Sequence, residues 1–155
     1  IVDVLAMLSP IAQLVRQGGG LEGTEPSVFH DSPFYDRYLC SDGRYITVGA
    51  IEPQFYALLL AQLELTDVDP AQQMDKSLWP ALKARIAQRF ASHPSGHWNA
   101  LMAGTDSCFA PVLTMAEAAA HPHNVARGLY SVTAKGDIET ARGMRFLPLL
   151  DTEMN

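Results

Sequence analysis

The chain has 155 residues, of which 48% are hydrophobic and 18% charged, a composition that excludes an intrinsically disordered or collagen-like protein. Its 11 basic and 17 acidic residues give a net charge of −6, and no basic block stands out, which argues against nucleic acid or an anionic membrane surface as the main partner. No apolar run reaches the length of a membrane span.

The first predicted element is a helix over residues 2–17, where apolar residues recur at helical spacing. The three glycines at 18–20 are typical of a helix end. Gly, Pro, Ser and Asp dominate residues 18–33, which predicts a loop. The chain begins inside this helix without an initiator methionine, so we expect it to come from a longer polypeptide.

A β-hairpin is the clearest local pattern. Residues 34–40 and 44–50 are β-prone, and the Ser-Asp-Gly sequence between them is turn chemistry in which glycine supplies positive φ. Glu52 follows the second strand. Pro53 then stands at the first position of a helix predicted over residues 53–65, a position that favours proline.

Two further helices are predicted over residues 77–91 and 95–103, with Ser95 as the cap of the second. A strand over residues 108–113 follows, and Pro111 within it favours a sheet edge because proline lacks the backbone N–H. In the helix over 77–91 an apolar residue recurs every four positions, which predicts one buried face: Leu78, Leu82, Ile86 and Phe90.

The last third of the chain has shorter elements. Thr114 and Glu117 fit a capping box that opens a short alanine-rich helix. A new element is predicted to begin at residue 121 and to end at Gly128. Strands are predicted over 129–134 and 144–150, around a Lys-Gly-Asp turn. The predicted fold class is therefore α+β, a small antiparallel sheet with covering helices, preceded by a helix.

Two cysteines, Cys40 and Cys108, are too few for a disulfide framework and are typical of a reducing, cytoplasmic environment. Both stand in apolar, strand-like runs. This favours buried packing residues over a catalytic thiol.

Glu52 is the first candidate for chemistry. It leaves a predicted strand and immediately precedes a helix, whose positive terminus stabilises a carboxylate by roughly 0.3–1 kcal/mol. An ionised Glu52 suits a base, or a group that orients and charges a histidine. The alternative is that Glu52 only caps the helix, since acidic residues are common in a first helical turn.

The five histidines form no evident metal site. His121 and His123 lack the further ligands that zinc needs, so surface or helix-capping roles are expected. His93 and His97 are separated by proline and glycine, so one helical face cannot present both. Five scattered arginines are expected to be surface charges and not phosphate ligands: Arg37, Arg44, Arg127, Arg142 and Arg145.

Two blocks of the sequence resemble a known family. The first comprises Pro-Phe-Tyr-Asp-Arg-Tyr at 33–38, Ser-Asp-Gly-Arg-Tyr at 41–45 and Val-Gly-Ala-Ile-Glu-Pro-Gln-Phe-Tyr at 48–56. The second comprises Ala-Pro-Val-Leu at 110–113, Ala-Glu-Ala at 116–118 and His-Pro-His-Asn-Val-Ala-Arg-Gly at 121–128. In order and spacing both resemble the α-methylacyl-CoA racemase branch of the family III CoA-transferases, also called CaiB/BaiF.

The resemblance implies a longer chain whose two ends build a large domain and whose middle builds a small one. Two subunits interlock, and each active site lies between one large domain and the partner's small domain. Residues 1–32 would then be a linker helix and loop leading from a large domain outside this chain. Residues 33–155 would be the small α+β domain.

Candidate site residues follow from the same resemblance. Glu52 falls on the carboxylate that pairs with the family's catalytic histidine, whereas the proton-shuttling histidine and aspartate would lie before Ile1. Tyr35 and Ile51 fall on positions that line the acyl pocket. Where the family often has Asp-Gly-Gly-Ala, residues 29–32 are Phe-His-Asp-Ser, which would narrow or polarise that pocket.

The implied function is racemisation of 2-methylacyl-CoA thioesters in cytoplasmic fatty acid metabolism, by removal and return of the α-proton. The implied partners are the acyl-CoA substrate, a second identical subunit and the large domain, with no nucleic acid, membrane, metal or separate cofactor. Two alternatives stay open. One is transfer of CoA between carboxylic acids, and the other is an isolated chain that acts only as an inactive folding or dimerisation module.

Overall fold

The computed structural model describes residues 2–17 and 26–140. It has helices and two small antiparallel sheets, which confirms the predicted α+β class. The chain falls into two compact units, one ending at Val112 and one beginning at Leu113. Within the described residues no helix is both long and apolar enough to cross a membrane.

The described residues of the first unit form four helices and three strands, with one turn of 3₁₀ helix at Pro70–Gln72. In chain order they are α1 (Val2–Gln17), β1 (Tyr35–Leu39), β2 (Tyr45–Gly49), α2 (Pro53–Gln62), α3 (Trp79–Ala91), α4 (Ser95–Met102) and β3 (Phe109–Pro111). The apolar residues Leu8, Ile11 and Leu14 of α1 are exposed.

The three strands form one antiparallel sheet in the order β1-β2-β3. The predicted hairpin is confirmed, with Tyr35 opposite Gly49 and Leu39 opposite Tyr45. Gly43 in its turn has φ of 76°, which glycine adopts without steric cost. Pro111 lies in the edge strand β3 as predicted.

Side chains alternate between the two faces of the hairpin because the strand period is two. One face is buried against helices and holds Tyr38, Ile46 and Val48. The other face is open to solvent and presents Tyr35 beside Gly49. The open face is therefore available for binding.

The core on the buried face is rich in aromatic rings, which pack edge-to-face or stacked at centroid distances of 5.1 to 5.8 Å. Phe34 contacts the rings of Tyr56 and Trp79, and Phe90 contacts those of Tyr38 and Trp98. Phe34 directly precedes β1, so the core fixes the start of the hairpin.

Two details of the helices differ from the predictions. The buried face of α3 holds Trp79 in place of Leu78, which is 42% exposed. The reason is that Leu78 precedes the helix, whereas the Trp79 indole reaches a buried carbonyl acceptor. Ser95 is not the cap of α4: Pro94 holds that position, and Ser95 is the first helical residue.

The N-terminus of α4 is capped from the hairpin turn. Asp42 accepts hydrogen bonds from the backbone N–H of Ser95 at 2.9 Å and from its hydroxyl at 2.7 Å. The hydrogen bonds from Ser95 hold the pKa of Asp42 below its usual range. This contact ties together residues 53 positions apart in the sequence.

This contact predicts a pH-dependent stability. Because the pKa of Asp42 is lower in the folded state, its contribution is present above about pH 4 and is lost as the pH falls through the folded pKa. Asp42→Asn should therefore lower the urea midpoint at neutral pH, with the deficit narrowing as the pH is lowered from about 5 toward 2. A deficit that does not change with pH would show that the carboxylate charge is not responsible.

The second unit contains α5 (Met115–Ala120), α6 (Pro122–Ala126), β4 (Tyr130–Val132) and β5 (Ile138–Thr140). Both bonds of the predicted capping box between Thr114 and Glu117 are present. Strand β5 pairs with β4 immediately after the Lys-Gly-Asp turn and was missed by the sequence pattern. The strand predicted over 144–150 lies outside the described residues.

Candidate active site

The site is built on the corner where β2 turns into α2. The Gly49 N–H donates to the carbonyl of Cys108, and the Ala50 N–H donates to the carbonyl of Phe34, both at 2.9 Å. Helix α2 then begins at Pro53. Backbone hydrogen bonds to the residue before β3 and to the residue before β1 therefore hold the corner on two sides.

Glu52 lies at this corner, and its side chain does not cap the helix. It occupies the N-cap position of α2 with extended backbone (φ −71°, ψ 139°), but its side chain makes no capping hydrogen bond. The residue is exposed, and within residues 2–17 and 26–140 its carboxylate makes no hydrogen bond or ion pair. The capping alternative is therefore not what the side chain does.

An open cleft of about 420 Å³ lies on the solvent face of the hairpin. Its lining combines aromatic, polar and backbone surface: Phe29, Tyr35, Asp36, Arg37, Thr47, Val48, Gly49 and Cys108. The Tyr35 ring lies over Gly49, with ring carbons 3.7 Å from where a Cβ on that glycine would stand. That separation is an ordinary van der Waals distance, so the Tyr35 ring packs directly over Gly49.

Phe29 forms one wall of the cleft. Its ring meets that of Tyr35 edge-to-face at a centroid distance of 5.5 Å. The turn that carries it is fixed locally, because the Ser27 N–H donates to Asp31 at 2.7 Å and the His30 and Asp31 N–H groups donate to the Ser27 carbonyl. Segment 29–32, the one that departs from the family pattern, therefore places an aromatic ring at the cleft. Whether this ring narrows an acyl pocket stays a prediction.

Cys108 lines the cleft, and its thiol is within electrostatic reach of Glu52. The expectation of a buried cysteine is confirmed for Cys40 and wrong for Cys108, which is exposed. Cys108 precedes β3 in a left-handed conformation with φ of 51°, so the apolar pattern of β3 does not extend to it. Partial burial, then the negative charges of Glu52 and Asp106, raise the pKa of the Cys108 thiol. A thiolate nucleophile is therefore not favoured here.

The electrostatic coupling between Glu52 and Cys108 can be tested without any enzyme assay. Glu52→Gln should increase the alkylation rate of Cys108 by iodoacetamide, by no more than about fivefold, because a charge a few ångströms away in water contributes ~1 kcal/mol. Peptide mapping by mass spectrometry of the 155-residue chain would give the rate. Asp106→Asn is the positive control. An increase with Asp106→Asn but none with Glu52→Gln would place the Glu52 carboxylate away from the thiol.

A second hollow of about 200 Å³ lies against α3 and is lined mainly by apolar atoms, including those of Tyr56, Trp79 and Leu82. Its charged groups already have partners. Arg85 pairs with Asp67 at 2.6 Å and holds the pKa of that carboxyl below its usual range. None of the residues predicted to carry chemistry lines this hollow, so we place the candidate site at the hairpin.

The histidines behave largely as expected. His121 is exposed and its Nδ1 accepts from the His123 N–H, a helix-capping role in α6. His93 and His97 do not share a helix, yet their rings stack at 4.1 Å across the loop between α3 and α4. Within the described ranges, no group of three or more His, Cys, Asp or Glu residues could hold a metal ion.

Of the three predicted site residues, Tyr35 lines the cleft. Glu52 does not line it, but its charge acts on Cys108, which does. Ile51 is half-buried in the corner and does not line the cleft. Sequence reasoning missed Gln73, which is buried behind the corner and whose side-chain amide donates to the carbonyls of Ala50 and Ile51.

A family model described as CoA-transferase family III matches residues 2–154. The α-methylacyl-CoA racemase of Mus musculus is 44% identical over 99 residues, covering 64% of this chain and 26% of that protein. The Homo sapiens α-methylacyl-CoA racemase is 40% identical over 107 residues, covering 69% and 28%. The chain thus spans little more than a quarter of the length of these two relatives.

Two solved structures of Rv3272 from Mycobacterium tuberculosis share the fold. A crystal structure of a point mutant has a TM-score of 0.60 at 16% identity and covers 94% of this chain and 39% of its own. The orthorhombic form has a TM-score of 0.57 at 19% identity and covers 88% and 38%. At these identities the likeness concerns the fold alone.

Proposed function

Because the chain belongs to CoA-transferase family III, we propose that it is part of an enzyme that racemises 2-methylacyl-CoA thioesters by removing and returning the α-proton. The identity to two proteins named α-methylacyl-CoA racemase supports this choice within the family. The observation that carries the proposal is the uncommitted carboxylate of Glu52 at the β2–α2 corner, beside a partly aromatic cleft.

The chemistry explains why such a carboxylate is needed. The α-proton of a thioester is weakly acidic, so racemisation needs acid and base groups on both faces of the carbon and stabilisation of the enolate oxygen. In the proposal, Glu52 pairs with a histidine supplied by another part of the assembly. An ionised glutamate fixes the imidazole tautomer and raises its basicity. Neither step requires a metal.

The cleft supports a role for Tyr35 in acyl binding. The rings of Phe29 and Tyr35 offer apolar surface for a branched acyl chain, and Gly49 lines the same cleft. Ile51 is half-buried in the described unit. Its proposed contact with the acyl group therefore depends on how the bound thioester approaches the corner.

The proposed assembly needs more protein than this chain. The short coverage of its relatives and the exposed apolar residues Leu8, Ile11 and Leu14 of α1 support a further domain that packs here. We propose that this domain supplies the histidine and aspartate and that two subunits interlock as a homodimer. The two free cysteines support a cytoplasmic location.

A second candidate activity within the family is transfer of CoA between carboxylic acids, through an acyl anhydride on an aspartate outside this chain. The carboxylate of Glu52 and the match to racemases favour proton transfer. The 155-residue chain alone should be inactive in both assays, since it would lack the paired histidine.

The two activities separate in one experiment. The product of the complete reading frame is incubated in deuterated water with a single-enantiomer 2-methylacyl-CoA, with and without a free carboxylate acceptor. Racemisation predicts one α-deuterium per molecule and loss of optical purity without an acceptor. Acceptor-dependent formation of a new CoA thioester, with no α-deuterium, would overturn the proposal in favour of transfer.

A further inference from the structure

Two backbone carbonyls at the β2–α2 corner are held by one side chain from elsewhere in the chain. The Gln73 Nε2 donates to the carbonyl of Ala50 at 3.1 Å and to that of Ile51 at 2.9 Å. These carbonyls lie between β2 and α2, outside both the strand ladder and the helix. A glutamine amide carries two N–H groups, so one nitrogen can satisfy both acceptors.

Gln73 is itself held in place. It is 5% exposed, and its backbone carbonyl accepts a hydrogen bond from the Trp79 indole N–H at 2.8 Å. The Trp79 ring packs against Phe34 at 5.8 Å, and the Phe34 carbonyl accepts the Ala50 N–H. These contacts link Gln73 through Trp79 and Phe34 back to Ala50. They therefore hold the Gln73 amide in a fixed position relative to the backbone of the corner.

Glu52 depends on that backbone for its direction. Its carboxylate makes no hydrogen bond within residues 2–17 and 26–140, so no side chain of these ranges orients it. The peptide group between Ile51 and Glu52 contains the Ile51 carbonyl, which accepts a hydrogen bond from Gln73. We propose that Gln73 is a positioning residue that aims the Glu52 carboxylate by fixing the peptide before it. This inference rests on the proposed role of Glu52 in proton transfer.

Loss of Gln73 should change the position of the Glu52 carboxylate. Without the two N–H donors, two carbonyls at a largely buried corner lose their partners, and the peptide must turn to find others. A displacement of about 1 Å in a catalytic group can cost up to about a hundredfold in rate. Most of the proposed substrate contacts, by contrast, lie in the cleft and in the rest of the assembly, with Ile51 as one contact among several. The loss should therefore fall mainly on kcat.

The test uses the product of the complete reading frame and the α-deuterium exchange assay. Gln73→Met keeps the length of the side chain and removes both donors. Trp79→Phe removes the bond that anchors the Gln73 carbonyl. The matched control is Trp98→Phe, because Trp98 is 1% exposed and its indole N–H also donates to a backbone carbonyl, that of Phe90 at 2.9 Å.

Gln73→Met should lower kcat at least about tenfold with KM within about twofold. Trp79→Phe should lower kcat less, and Trp98→Phe should leave it near wild type despite a comparable loss in Tm. Hydrogen exchange at the Ala50 amide should quicken in the first two variants only. If Gln73→Met fails to fold, the comparison of kcat between Trp79→Phe and Trp98→Phe tests the role of Gln73 alone.

A double-mutant cycle separates this inference from the proposed function. If Gln73 acts through Glu52, Gln73→Met should not lower kcat further in a Glu52→Gln background. Equal effects of Trp79→Phe and Trp98→Phe, or additive losses in the cycle, would overturn the role of Gln73 while Glu52 stands. A Glu52→Gln variant with unchanged exchange would overturn the proposed function and this inference with it, whatever Gln73→Met does.

Discussion

Replacing Glu52 with glutamine should slow α-proton exchange at least about tenfold, a loss of ~1.4 kcal/mol of transition-state stabilisation. The change removes the negative charge and keeps the size of the side chain. Because the Glu52 side chain caps nothing and pairs with nothing in the described part of the chain, folding should be little affected. The exchange rate would be measured by mass spectrometry in deuterated water on the product of the complete reading frame.

Asp106→Asn is the matched control for this variant. Asp106 is also exposed, and its charge also raises the pKa of the Cys108 thiol, so it changes the local field without touching the β2–α2 corner. Its exchange rate should stay within about twofold of wild type. If Asp106→Asn and Glu52→Gln slow exchange equally, the general field would be responsible and not a carboxylate at the corner.

Phe34→Ala should destabilise the first unit by about 3–5 kcal/mol, the usual cost of emptying a buried phenylalanine site. Phe34 is 0% exposed and its ring contacts those of Tyr56 and Trp79. Its loss opens a cavity between the hairpin and the two helices that frame the corner. Urea denaturation of the 155-residue chain, followed by tryptophan fluorescence, would measure the change.

Phe29→Ala is the control within the same stretch of chain. Phe29 is 46% exposed and its ring meets only that of Tyr35 among the ring contacts of the described residues. The free energy of unfolding should fall by less than ~1 kcal/mol. Equal losses for the two variants would show that Phe34 is not the core residue that the structure places under the hairpin.

Features that depend on residues close together in the sequence could be predicted from it. The hairpin follows from alternation and a glycine turn, and the capping box from the spacing of Thr114 and Glu117. The edge position of β3 follows from Pro111. Each depends on interactions over a few residues, where the physical rule and the sequence pattern coincide.

Features that depend on distant partners could not be predicted. The sequence predicted Ser95 as the cap of α4. In the structure the cap comes from Asp42 in the hairpin turn, which is far away in the sequence. Gln73 lies in a stretch without a distinctive pattern, and its role appears only when the corner folds over it. The exposure of Cys108 follows from a left-handed residue that an apolar run does not reveal.

The candidate site was only partly accessible from physical reasoning. Helix electrostatics singled out Glu52, but the sequence alone favoured simple helix capping, and in the structure the side chain makes no capping bond. The assignments of Tyr35 and Ile51 came from family resemblance, because an exposed tyrosine and a half-buried isoleucine carry no chemical signature of their own. Their roles stay predictions.

The most direct measurement is a crystal structure of the product of the complete reading frame with a 2-methylacyl-CoA bound. We expect a Glu52 carboxylate oxygen within about 2.6–3.2 Å of a histidine nitrogen from the partner subunit, with that histidine facing the α-carbon. A Glu52 side chain paired with a lysine or arginine of its own unit and shut off from the thioester would contradict it.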